Sequence, residues 1–178
     1  MAIATTNPAT GEVVKAFDPM THDEIDVRLE RAHRGYEVLR RTSFAQRAAW
    51  MRAAADILDA EIVDVARTMT VEMGKTLASA KGEVAKCAKG CRFYADHAEE
   101  FLADEVVVPT SVGATGALVR YQPIGPVLAV MPWNFPLWQA IRFAAPALMA
   151  VVAVTPTQPY PFGRPRTSSK HRSYCGAA

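Results

Sequence analysis

The chain has 178 residues, 50% of them hydrophobic and 21% charged, with a formal net charge of +2. That length and balance fit one globular domain and exclude a disordered or fibrous chain. The basic surplus comes from Arg164, Arg166, Lys170 and Arg172, and residues 1–150 carry 16 cations against 18 anions, so no nucleic-acid partner is implied. The N-terminus lacks a basic start followed by an apolar core and a cleavage site. No proline-free, charge-free apolar run reaches the roughly 18 residues of a spanning helix, so no membrane is expected. Three cysteines, an odd number without framework spacing, fit a reducing, cytoplasmic setting.

In chain order, Ile3 to Lys15 contains Asn7-Pro8 and Thr10-Gly11, turns that join short extended pieces. Thr21 and Glu24 form a capping box, and Ile25, Leu29, Ala32 and Tyr36 mark one helical face behind it. Ser43 and Gln46 repeat the box before Ala48, Met51, Ala55 and Leu58. Ile62, Val65, Ala66, Met69 and Met73 define a third helix, which Gly74 is placed to end. Leu77, Ala80, Val84, Cys87, Cys91, Tyr94, Ala98 and Leu102 alternate three and four apart, the stripe of a fourth, long helix. Val106 to Val108 and Ala117 to Gln122 read as a hairpin, about 106–122, around Gly113 and Gly116.

The most informative segment follows. An apolar run, Pro123 to Val130, meets Met131-Pro132-Trp133-Asn134-Phe135-Pro136 and then an amphipathic stretch from Leu137 to Met149. Strand, tight turn, helix presents a polar side chain at the carboxyl end of a strand, where open α/β sheets bind ligands. Asn134 is the one polar side chain of the six. It is neutral and carries two N–H donors, which suits an oxyanion hole. Equally, Asn134 caps the helix while Trp133 and Phe135 fill core.

Pro-Trp-Asn-Phe-Pro after a buried strand resembles the signature turn of the NAD(P)-dependent aldehyde dehydrogenases. Asn7-Pro8-Ala9-Thr10-Gly11-Glu12, Glu72-Met73-Gly74-Lys75 and Tyr121-Gln122-Pro123-Ile124-Gly125 resemble further segments of that family. The resemblance implies an α/β fold: an outer helical layer, an oligomerisation hairpin that bridges subunits, and the first strand–turn–helix of a Rossmann-like cofactor domain, all within residues 1–150. It implies a cofactor of NADP or NAD, with NADP slightly favoured. Asn134 then helps bind the oxyanion of a thiohemiacetal, and Met131, Pro132, Trp133 and Asn134 lie against the nicotinamide end of the cofactor. The full-length parent is expected to be a homo-oligomer acting on a small aldehyde.

Arg142 lies eight residues after Asn134, a little over two helical turns, so the two project to nearly the same side. It is the sole charge between Arg120 and Arg164. In the succinate-semialdehyde dehydrogenases an Arg at this spacing binds the substrate carboxylate, and a guanidinium does so bidentately. The implied reaction is oxidation of succinate semialdehyde to succinate.

The family's Cys nucleophile, Glu base and cofactor Lys all follow the Asn turn. Cys87 and Cys91 precede it, Cys175 stands in an unrelated context, and the last acidic residue is Glu105. The 178 residues alone are therefore expected to be inactive. The family continues after residue 150 with Gly-Asn or Gly-Cys and a second strand. Here Val151 to Thr155 form at most a short strand ended by Pro156, Pro159 and Pro161, and residues 151–178 read as an atypical, disordered tail. This break points to a frameshift or truncation near codon 150, which reading the other two frames would test. Only one strand of a doubly covered sheet is evident, so marginal folding is expected.

Other signals are weaker. Gly74-Lys75-Thr76 resembles a P-loop end, but Met69 stands where that loop needs Gly. Cys87 and Cys91 lie on an apolar stripe and read as buried hydrophobes, so no metal is expected. The alternative to an enzyme is a helical interaction module, its bundle core formed by Ile25, Met51, Met69 and Leu77.

Overall fold

A computed structural model describes residues 3–108, 113, 115–151 and 154–156. Strands β1 (Ile3–Thr6) and β2 (Val13–Phe17) pair antiparallel around the Asn7–Gly11 turn. Helices α1 (His22–Leu39), α2 (Phe44–Ala60), α3 (Ile62–Met73) and α4 (Leu77–Phe101) follow. Both expected capping boxes form: Thr21 and Ser43 accept from the N3 backbone, and Glu24 and Gln46 return the bond. Gly74 ends α3 at φ 76, and an added Cβ would come within 2.8 Å of the Pro8 ring. Two of the resembling segments thus meet there, and only glycine fits the conformation and the contact.

The long helix α4 organises the core. Along it, Ala80, Val84 and Cys87 pack with Ala66 and Met69 of α3. Ala88 and Cys91 pack with Ala55 of α2, and Ala95 and Ala98 with Ala48. The interlocking residues are mostly alanine and cysteine, small enough for close helix approach, and Ala55, Ala66, Ala80 and Ala88 are wholly buried. Antiparallel strands β3 (Glu105–Val107) and β4 (Ala117–Val119) form the hairpin. Val106, Leu118 and Val119 of this hairpin are exposed, Val106 at 87%, while Val107 and Ala117 are half-buried.

Strand β5 (Val127–Ala129), helix α5 (Pro136–Met149) and strand β6 (Val154–Pro156) form a βαβ unit, with β5 and β6 parallel. Leu137, Ala145 and Met149 of α5 join the α4 clusters in the same order as α4 advances, so the two helices run parallel. Gly90 makes room for Trp138, whose Cζ3 would lie 3.3 Å from an added Cβ.

Several expectations are corrected. The strand is shorter than Pro123 to Val130, because Pro123 and Pro126 lack N–H donors and Gly125 turns the chain at φ 115. Helix α1 buries only Ala32 and Leu39, while Ile25 and Leu29 are exposed. It lies against β6, and the Tyr36 hydroxyl donates to the carbonyl of Pro123, in the segment leading into β5, at 3.4 Å. Leu77 is exposed as well, so the four helices do not close into the bundle of the interaction-module alternative; α5 takes the place of α1 against α4. Residues 154–156 of the tail pair with β5, while 157–178 lie outside the described residues. Val151, where a helix-ending Gly is common, adopts φ 63; for a β-branched side chain that conformation costs about 1–2 kcal/mol. Among the described residues no helix is long and apolar enough to cross a membrane.

Candidate functional site

The turn Met131–Phe135 leaves the carboxyl end of β5 and leads into α5. Pro132 and Asn134 are exposed, and Met131 and Trp133 half-buried. Asn134 is not the helix cap. That position belongs to Phe135, whose side chain offers no hydrogen bond and is exposed. Pro136 at the first helical position removes one orphan donor. Asn134 Oδ1 instead accepts from Gln139 Nε2 at 3.2 Å, which leaves the two Nδ2 donors for other acceptors.

The cap comes from 54 residues upstream. Glu83 Oε1 accepts from the backbone N–H of Leu137 at 3.0 Å and of Trp138 at 2.9 Å. Its side chain is 2% exposed, and its Oε2 is ion-paired with Nζ of Lys75, a side chain 10% exposed. Lys75 Nζ also lies 4.0 Å from the Phe135 ring centroid. A carboxylate at a helix N-terminus meets both free N–H groups and the positive end of the helix dipole. The opposite end of α5 is held by the opposite charge. Arg47 Nε donates to the Met149 carbonyl at 3.0 Å, and its Nη1 to Thr42 O and Oγ1 at 2.5 and 3.2 Å. Burial lowers the Arg47 guanidinium below its ordinary pKa, against the opposing pull of Glu99.

Neither Glu83 nor Arg47 was singled out in the sequence, though a signal exists. Glu83 lies between Ala80 and Cys87 on the apolar stripe, and Arg47 abuts Ala48. A charge on a core face needs a buried partner.

Arg142 is exposed on α5, as Asn134 is on the turn before it. Cys87 and Cys91 are inert by environment. Burial, reinforced by Glu83, pushes the Cys87 thiol up to about 12, and burial pushes Cys91 up to about 11 despite Arg92. At pH 8 a thiol of pKa 12 is thiolate in about one molecule in ten thousand. Cys87 and Cys91 should therefore resist alkylation in the native chain and react only after denaturation, read as peptide masses. Rapid native labelling of either would contradict this burial.

The profile of the aldehyde dehydrogenase family matches residues 1–158. The chain is 63% identical over 150 residues to succinate-semialdehyde dehydrogenase [NADP(+)] 1 of Mycobacterium tuberculosis, covering 84% of this chain and 33% of that protein. The structure of succinic semialdehyde dehydrogenase from Streptococcus pyogenes, in complex with NADP+, superposes with a TM-score of 0.80 at 36% identity. That match covers 86% of this chain and 33% of the other. Succinate-semialdehyde dehydrogenase from Burkholderia pseudomallei gives a TM-score of 0.78 at 31% identity over 88% of this chain and 32% of that one. The chain thus spans about a third of the length of the curated relatives it matches. With the Asn turn at the carboxyl end of a parallel strand and the profile match over nearly its whole length, this chain belongs to the aldehyde dehydrogenase family.

Proposed function

We propose that residues 1–150 are the N-terminal part of the cofactor-binding domain of a cytoplasmic, NADP-dependent succinate-semialdehyde dehydrogenase. The single observation that carries this reading is the Asn134 turn, exposed at the carboxyl end of β5 in a parallel βαβ unit. The relatives named for succinate semialdehyde and NADP+ support the substrate and the cofactor.

Exposed Pro132 and half-buried Met131 and Trp133 leave the turn backbone open to a flat ring, which fits the nicotinamide end of NADP. The cofactor supplies a hydride acceptor. Asn134 Nδ2 donates to the substrate oxygen as it gains negative charge, and Oδ1 is already engaged by Gln139. Arg142 grips the distal carboxylate of the substrate. The thiol nucleophile is neither Cys87 nor Cys91, which face the core. The outward apolar side chains of the β3–β4 hairpin suit a subunit contact in the complete oligomer.

Purified 178-residue chain should give no reduced cofactor with succinate semialdehyde and NADP+. Residues 1–150 joined to the remaining two thirds of the M. tuberculosis relative should be active. In that joined enzyme, Arg142→Leu should raise the KM for succinate semialdehyde about 10- to 100-fold while sparing an uncharged aldehyde of equal length. A folded but inactive joined enzyme, or equal loss on both aldehydes, would count against the reading.

A further inference from the structure

We propose that Lys75 and Glu83 form a positioning pair that holds Asn134 through the N-terminus of α5; this rests on the role given to Asn134 above. The pair secures the chain immediately after the Asn. Glu83 Oε1 fixes the second and third helical N–H groups, those of Leu137 and Trp138. Lys75 Nζ bonds the other carboxylate oxygen and sits on the ring of Phe135, the residue that follows Asn134. From the helix so fixed, Gln139 reaches back to Asn134 Oδ1.

The local sequence cannot do this itself. Phe135 at the cap carries no acceptor, and Asn134 Oδ1 is engaged by Gln139. A helix start without a cap frays, and an oxyanion donor loses its value when it is free to wander. Burial makes the pair stiff, because a Glu83 side chain 2% exposed and a Lys75 side chain 10% exposed have little water to exchange into. The residues come from different elements: Lys75 lies between α3 and α4, and Glu83 is on α4. The turn is therefore referenced to the helical layer and not to its own loop.

The test uses the 15N-labelled 178-residue chain. In Glu83→Gln, the Leu137 and Trp138 amides should exchange about tenfold faster, and the Asn134 side-chain amide resonance should move, while Ala55 and Ala88 in the α2–α4 core keep their protection. Faster exchange at the two amides with an unmoved Asn134 signal would reduce the pair to an ordinary cap and overturn the proposal. So would no change at all. If Glu83→Gln does not fold, Lys75→Gln is read by the same three signals with the same criteria.

A catalytic readout separates positioning from bulk stability. In the joined enzyme, Glu83→Gln should lower kcat about tenfold with KM for succinate semialdehyde unchanged, and should cost nothing further in an Asn134→Ala background. A loss of equal size in that background would overturn the proposal. Should the unsubstituted joined enzyme be inactive, the functional reading fails, and the amide signals still decide the pair.

Discussion

Glu83→Ala is expected to destabilise the chain by about 3–5 kcal/mol, the usual cost of removing one partner of a buried ion pair. Three groups lose their acceptor together: the Lys75 ammonium and the backbone N–H groups of Leu137 and Trp138. The charge left behind is the worst of these, since the Lys75 side chain is only 10% exposed. Removing both charges in Lys75→Met/Glu83→Leu should therefore be milder than Glu83→Ala alone, although the two N–H groups stay uncapped. Urea unfolding followed by circular dichroism gives the ranking. A cost below about 1 kcal/mol for Glu83→Ala, within the range of exposed pairs, would show that water reaches the site.

Asn134→Ala in the joined enzyme should lower kcat about 100- to 1,000-fold, the effect of deleting one oxyanion donor. Because Asn134 is exposed and is not the α5 cap, the fold has little reason to suffer. The KM for succinate semialdehyde should change little, since the donor acts on charge that develops after binding. Asn134→Asp tests the same point differently: it keeps size and removes the Nδ2 donors, so it should be at least as damaging. Steady-state kinetics with succinate semialdehyde and NADP+ checks both. An Asn134→Ala enzyme within about threefold of the parent in kcat would assign the oxyanion to other donors.

Much of the fold was legible in the sequence because it depends on neighbours. Thr21 with Glu24 and Ser43 with Gln46 start helices through bonds three residues apart, and Gly74 stops one through its own φ. The α4 stripe is a matter of helical period. Period says nothing about cover. Ile25, Leu29 and Leu77 show helical spacing, yet they stay exposed because α5, and not α1, lies against α4. Strand length is likewise not set by apolar character alone. An apolar run from Pro123 to Val130 suggests extension, but two prolines and Gly125 at φ 115 confine the strand to Val127–Ala129.

By itself the sequence determined the helices, the capping boxes of α1 and α2, the glycine that ends α3, the Asn turn between strand and helix, and the family to which these segments belong. Those properties are written in bonds and spacings of three to eight residues. Only the tertiary structure decided what holds α5. Glu83 caps its start from 54 residues away, and Arg47 its end from 102 residues away. Nothing local marks such partners, because a buried charge and a helix terminus satisfy each other only once packing has removed the water from both.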